Sequence, residues 1–409
     1  MNLLLFTQVY PDEIGVKTPR SSSVCHYWTK EWRKEGHNVI VIYCYPNYHP
    51  IFHWLASKKT HFIAQFTNAT LPQRQKEKVT YEKDGVTILK IPMYKTFPKT
   101  RYSTKNIQHI VDEAYHFINQ CRFKPDIILS HFDNPILEIA GKFKERLNGK
   151  VPLSFVLHGY AKDIKRLYPN EYQKLINQVD AWGFRSIAIK NDFERHYGPL
   201  KYSYICYSGI PDEYIASISN IKNKISGKIC YVGALIKRKY PEKIIIGLLP
   251  FLKQNKFTLS YIGEGALENY IRKYSRKNHI EDKVTFLGQI ERNEVQHEIE
   301  SSDFFVMISR HETFGMVYLE AMAHGCITIA SKNEGFDGII KDGKNGFLCN
   351  AGDSKELFKL FKRIESLSED EKLKVRKNAI DTARNFTESI VAKKYIEDVK
   401  YIINLKNKS

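Results

Sequence analysis

The stretch Ser309–Gly325 (SRHETFGMVYLEAMAHG) places two glutamates, Glu312 and Glu320, eight positions apart around a Phe-Gly-Met turn. Ionised carboxylates accept hydrogen bonds from hydroxyl groups, and a glycine between them lets backbone approach a ligand closely. The apolar run 304–308 before this stretch has strand length, and Val317, Leu319, Ala321 and Met322 within it suit a helix. The segment therefore reads as strand, loop and helix. The amides near Phe314 to Val317, Gly315 and Met316 included, open that helix, and free N–H groups at the positive end of a helix dipole favour an anion. Glu312 lies on the loop and Glu320 about one turn inside the helix. One helix mouth flanked by two carboxylates suits a ligand with both phosphates and hydroxyls, such as a nucleotide sugar. The plainer alternative is a solvated helix face with an ordinary turn.

The elements around this stretch must hold it in place. Residues 3–8 read as a strand and 10–20 as a loop. Residues 22–35 carry Val24, Trp28 and Trp32 at helical spacing and stop at Gly36, before another strand over 38–44. Strand, glycine-bearing loop, helix, strand is the start of a doubly wound sheet. Asp84-Gly85 predicts a hairpin over 79–91, and 103–121 is strongly helical. Strands at 127–130 and 152–157 follow, the second ending in His158-Gly159, where open α/β sheets bind ligands. A polar stretch over 212–228 reads as a linker. The alternation then restarts with strands at 228–235, 258–262, 284–287, 304–308 and 327–331. Helices are expected over 354–366 and 369–385, with a last helix after Phe386.

Composition narrows the class. The chain has 409 residues, 43% of them apolar, which is ample for two or three domains. Its seven cysteines include no C-x-x-C pair, which argues against a zinc ribbon or disulfide framework and fits a reducing cytoplasm. Residues 1–10 read as a first strand rather than a leader, and no apolar run reaches the roughly 20 residues that span a bilayer. The formal charge of +18 attracts polyanions. No helix-turn-helix, zinc-finger or RNP-like stretch accompanies it, so phosphorylated substrates or anionic lipid are preferred over nucleic acid. Aromatics interleaved with lysines over 50–78 suit an interfacial membrane segment, with an ordinary packed helix as the alternative.

The wording of 309–325 resembles the E-x7-E signature of retaining glycosyltransferase family 4, and the alternation extends the resemblance over nearly the whole chain. The resemblance implies a GT-B fold, two facing Rossmann-like doubly wound domains with a cleft between them. It suggests an acceptor-binding domain over 1–211, a nucleotide-sugar domain over 212–385, and a helix over 386–409 that crosses back. Glu312 would bind the donor sugar, Glu320 the ribose, and the loop amides of Thr313 to Val317 the sugar and diphosphate. His158 would lie near the transferred sugar. Gly15 alone remains of the paired glycines usual in the first loop. Lys239 holds the place of the diphosphate lysine, but Ala234 stands where an arginine is usual, with Arg238 the nearest replacement and Lys237 less suited. Gly263 and Gly265 match a G-x-G turn, and the backbone from Leu287 to Gln289 would face the base. Ser208 and Gly338 depart from the usual asparagine and glutamate.

The expected activity is metal-independent, retaining transfer from a nucleotide-diphosphate sugar, UDP-sugar favoured, with no cofactor. The acceptor would be a glycan or a lipid-linked molecule in cell-surface polysaccharide synthesis. The location would be cytoplasmic or peripheral on the inner face of the membrane. A GT-B phosphorylase, a nucleotide-sugar epimerase and a non-catalytic polyanion-binding protein share this layout.

Overall fold

The computed structural model describes residues 1–11, 24–48, 75–95, 100–217 and 227–408. Gly15 and most of the 50–78 stretch lie outside the described residues. The chain forms two compact units, one of Met1–Arg185, Ile189–Cys206 and Val391–Ser409, the other of Ser186–Ala188 and Tyr207–Ile390.

The first unit is built on eight strands: β1 (Asn2–Thr7), β2 (Asn38–Tyr48), β3 (Val79–Lys83), β4 (Val86–Lys95), β5 (Ile127–His131), β6 (Leu153–Leu157), β7 (Ala181–Phe184) and β8 (Ser203–Ile205). They lie in the order β3-β4-β2-β1-β5-β6-β7-β8, parallel except for the β3–β4 hairpin. That hairpin turns on Asp84 (φ 49°) and Gly85 (φ 72°), the positive pair a two-residue turn of matching twist requires. Parallel strands covered on both faces must be apolar throughout, and β5 and β6 are buried at every residue. The helix Val24–Lys34 packs Trp28 and Trp32 at 0% exposure, and the Trp32 indole donates to the carbonyl of Ala392 in the closing helix Glu388–Asn407. That bond belongs to the first unit, as does the closing segment from Val391 on.

The second unit has six parallel strands: β9 (Lys228–Val232), β10 (Thr258–Ile262), β11 (Val284–Gly288), β12 (Phe304–Val306), β13 (Ile327–Ser331) and β14 (Phe347–Cys349). Their order is β11-β10-β9-β12-β13-β14. The order reverses between β9 and β12, so the loops leaving those two strands diverge to opposite sides and leave a crevice at their carboxyl ends. In the first unit the reversal falls between β1 and β5. β12 is two residues shorter than the 304–308 run, although Met307 and Ile308 stay buried. The described part of the expected linker is held within the second unit: Asp212–Tyr214 is a short 3-10 turn, and the Ala216 amide donates to Ala323 at 2.9 Å.

Candidate active site

The reversal point of the second sheet collects the charged residues singled out by their spacing. Beyond β9, Lys237–Lys239 forms a 3-10 turn closed by Tyr240 at φ 50°. Lys237 and Arg238 are exposed, whereas Lys239 turns inward and pairs with the carboxylate of Glu312 on the loop beyond β12. Side-chain exposure is 12% for Lys239 and 13% for Glu312, low enough that the pair is only weakly screened. Ser309 also donates to Glu312, at 3.3 Å. The Arg310 amide donates to the Arg238 carbonyl at 2.7 Å and fastens the two loops together. Arg238 and Glu312 both influence the buried Tyr231 hydroxyl, in opposite directions, which places them around one tyrosine. Ala234 is exposed, and its carbonyl accepts from that hydroxyl.

Backbone bonds set the loop's shape. The Glu312 amide donates to the Glu334 carboxylate at 2.9 Å, and the Glu312 carbonyl accepts from Gly335 at 2.8 Å. A side chain at Gly335 would meet the Phe314 nitrogen at 2.5 Å, so the chain after β13 supports the loop from beneath only because that residue is glycine. Gly315 caps the helix Met316–Ala323 at φ 86°, with room for no Cβ against the Tyr318 ring. The first amides of that helix, at Met316 and Val317, lack acceptors within it. Thr313 is half-buried and Phe314 is buried.

Glu320 does not join Glu312 and Lys239. It is 9% exposed, contacted by Arg292 at 3.4 Å and by Gln296 at 3.2 Å, and burial raises its pKa against the opposing pull of both partners. The Gln296 amide oxygen in turn accepts from the His324 Nε2–H at 2.8 Å. On the far side of β9, Gly263 (φ 124°) leaves no room for a Cβ against the Gly233 carbonyl, and the Leu235 amide donates to the Glu264 carbonyl. The Gly263 amide reaches the Gly288 carbonyl at 2.7 Å, between half-buried Leu287 and exposed Gln289. Arg292, Gln296, Glu334 and Gly335 were not singled out from the sequence, because none belongs to a short motif and their roles arise from contacts across the sheet.

His158 belongs to the first unit, at the end of β6. It stacks on Phe132 with ring centroids 4.0 Å apart and bonds His131 at 2.9 Å. Asp133 follows β5 at the reversal point of the first sheet, and its Oδ1 is buried without a hydrogen-bond partner among the described residues. Burial pushes its carboxyl up to about 7, with Asp163 adding to the rise. The folded protein therefore holds a proton between about pH 4 and about pH 7 where the unfolded chain has lost it, and stability falls as pH rises through that window. Asp133→Asn should remove this dependence. In urea unfolding at about pH 5 and about pH 8, the variant should gain on wild type by at most about 1.4 kcal/mol per pH unit. Parallel stability curves would show an ordinary, early-titrating carboxyl.

Among the described residues, no group of three or more His, Cys, Asp or Glu could hold a metal ion, and no helix is long and apolar enough to cross a membrane.

Known proteins resemble this chain in sequence and in fold. Residues 216–386 match the family described as glycosyl transferases group 1. An uncharacterized glycosyltransferase of Methanocaldococcus jannaschii, MJ1069, is 27% identical over 342 residues, covering 78% of this chain and 84% of that protein. The N-acetyl-alpha-D-glucosaminyl L-malate synthase of Bacillus anthracis is 25% identical over 56% of this chain, a match that spans 62% of the synthase's own length. Among solved structures, Anabaena Alr3699/HepE in complex with UDP superposes with a TM-score of 0.67 at 16% identity, covering 98% of this chain and 100% of that one. The fold is thus GT-B, α/β with two Rossmann-like doubly wound domains, and the sequence relatives support sugar transfer as the general class of activity.

Proposed function

We propose that this GT-B chain, whose residues 216–386 carry the group 1 glycosyltransferase match, is a retaining glycosyltransferase. It would move a sugar from a nucleotide-diphosphate sugar, UDP-sugar first, to a glycan or lipid-linked acceptor in cell-surface polysaccharide synthesis. The observation that carries the reading is the Lys239–Glu312 pair beside a helix mouth at the reversal point of the second sheet. A cation, first-turn amides and a carboxylate converge there, which suits a diphosphate bonded to a polyol. The UDP bound in the Anabaena HepE structure supports the choice of nucleotide.

In this reading Lys239 and Arg238 meet the diphosphate as its negative charge develops, with the amides of Met316 and Val317 beside them. Glu312 accepts hydroxyls of the donor sugar and Glu320 those of the ribose. The anomeric carbon–phosphate oxygen bond breaks as the acceptor oxygen bonds that carbon on the same face. The acceptor's proton passes to the leaving phosphate oxygen, so no protein nucleophile and no metal is invoked. The first unit carries the acceptor, and the net charge of +18 favours an anionic one at an anionic membrane surface.

A thermal-shift screen with UDP-, GDP- and ADP-sugars tests the reading. A ligand that binds only the folded state at about 100 times its Kd adds about 2.7 kcal/mol, a shift of several degrees. The expected result is a rise with UDP-sugars, together with transfer products that keep the donor's anomeric configuration. No rise with any nucleotide sugar, or an inverted product, overturns it.

A further inference from the structure

The carboxylate of Glu320 closes a loop of polar side chains within the second unit. Gln296, on the helix Arg292–Glu300, donates from Nε2 to Glu320 Oε2 at 3.2 Å. The Gln296 Oε1 lies 2.8 Å from Nε2 of His324, at the end of the helix Met316–Ala323. The His324 ring lies beside that of Tyr214, with centroids 5.8 Å apart. The Tyr214 hydroxyl accepts from Arg292 Nε at 3.1 Å, and Arg292 returns to Glu320 Oε1 at 3.4 Å.

The inner bonds of this loop run one way. An ionised carboxylate only accepts, so Gln296 must turn its NH2 group to Glu320. Its amide oxygen then faces His324, which must carry a proton on Nε2. Turning the amide over would set its oxygen against a carboxylate oxygen with no proton between them, and unmade bonds in a buried site are costly. Gln296, Glu320 and His324 are all buried. A helix contact made for stability alone needs no such set, because apolar side chains of similar volume would serve as well.

The two oxygens of Glu320 are held differently. Oε2 is gripped by an amide that is itself fixed from behind. Among the described residues Oε1 meets only Arg292, whose side chain is 52% exposed, at a long bonding distance. The open side of the carboxylate is therefore Oε1. Without the grip on Oε2, the planar fork of Arg292 could take both oxygens and close the carboxylate to any other donor.

We propose that Gln296 and His324 are positioning residues for Glu320, holding Oε2 so that Oε1 stays free to accept from a ribose hydroxyl of the donor nucleotide. The ribose rests on the proposed function; the order of the bonds does not. Neither residue touches the nucleotide, so their effect reaches it through one carboxylate and leaves the diphosphate contacts alone.

Titration calorimetry of the full chain with UDP and with 2′,3′-dideoxy-UDP reads this role. Wild type should bind UDP at least about tenfold more tightly, the value of one charged hydrogen bond of about 1.4 kcal/mol. Glu320→Ala sets the floor, with the two nucleotides bound alike. Gln296→Leu should approach that floor by weakening UDP while leaving the dideoxy form unchanged. His324→Phe keeps a ring beside Tyr214 but supplies no proton, so it should do the same, and it serves if the first variant folds poorly. His324→Gln offers an amide N–H in place of the imidazole one and should keep most of the preference.

Variants that weaken both nucleotides equally, or that keep the full preference for UDP, overturn the positioning role and leave these residues as helix packing. A wild type that binds UDP and its dideoxy form alike overturns the ribose contact, and the positioning role with it, while the proposed function stands. A wild type that binds neither of these, nor GDP or ADP, overturns the proposed function and this role together.

Discussion

Glu312→Gln is expected to lower turnover by about two to three orders of magnitude, melt below wild type without ligand, and respond to UDP with a larger thermal shift than wild type. All three effects follow from one ion pair. The loop carrying Glu312 is shaped by main-chain bonds to Glu334 and Gly335, which an amide side chain leaves intact. What changes is the charge opposite Lys239. An ammonium at 12% exposure that loses its carboxylate is a mostly desolvated, uncompensated charge, and breaking such pairs from one side is destabilising. A diphosphate supplies the missing negative charge, so UDP should recover the lost stability while sugar hydroxyls lose their acceptor. Differential scanning fluorimetry with and without UDP, beside an assay of nucleotide release, reads all three. Turnover within a few-fold of wild type would sink the role given to Glu312. Loss of UDP binding would make its carboxylate a support for the loop instead.

Lys239→Ala and Arg238→Ala should each reduce nucleotide release about a hundredfold at saturating donor, and Lys237→Ala should change it little. A single fixed group facing developing negative charge is worth about 3 kcal/mol. Lys239 is the inward cation of its turn, so its loss removes both the proposed phosphate contact and the partner of Glu312. Arg238 is exposed but shares the surroundings of Tyr231 with Glu312, and its planar fork can hold two phosphate oxygens. Lys237 lies on the same short turn without either relation. Ala234, exposed on the loop where an arginine would sit, offers a complementation test. Ala234→Arg in the Arg238→Ala background should restore part of the loss, since the charge returns to the same crevice. Normal release from Arg238→Ala with an inactive Lys239→Ala would show that Lys239 and the helix mouth suffice, and would remove Arg238 from the site.

The sequence by itself determined the periodic parts of this protein. Runs such as Ile127–Ser130 and Leu153–Leu157 are apolar throughout because parallel strands are covered on both faces, so they announce themselves without knowledge of their neighbours. Asp84-Gly85 announced its hairpin because few residue pairs adopt two positive φ angles. The loop-and-helix form of 309–325 was legible for the same local reason, through Gly315 and the helical run after it. Strand order, by contrast, is a property of crossovers, and it is the reversal between β9 and β12 that brings Lys239 to Glu312 across 73 positions of chain. The bonding of Glu320 to Arg292 and Gln296 was equally invisible, since helical spacing states a face but not what packs on it. His158 could be placed at a strand end from its neighbours in sequence. Its bonding partners could not, because His131 lies on the neighbouring strand and the Tyr395 hydroxyl beyond it comes from the far end of the chain. Local conformational preference is written in adjacent residues, whereas the hydrogen-bond partners of a buried side chain are whatever the tertiary fold assembles around it.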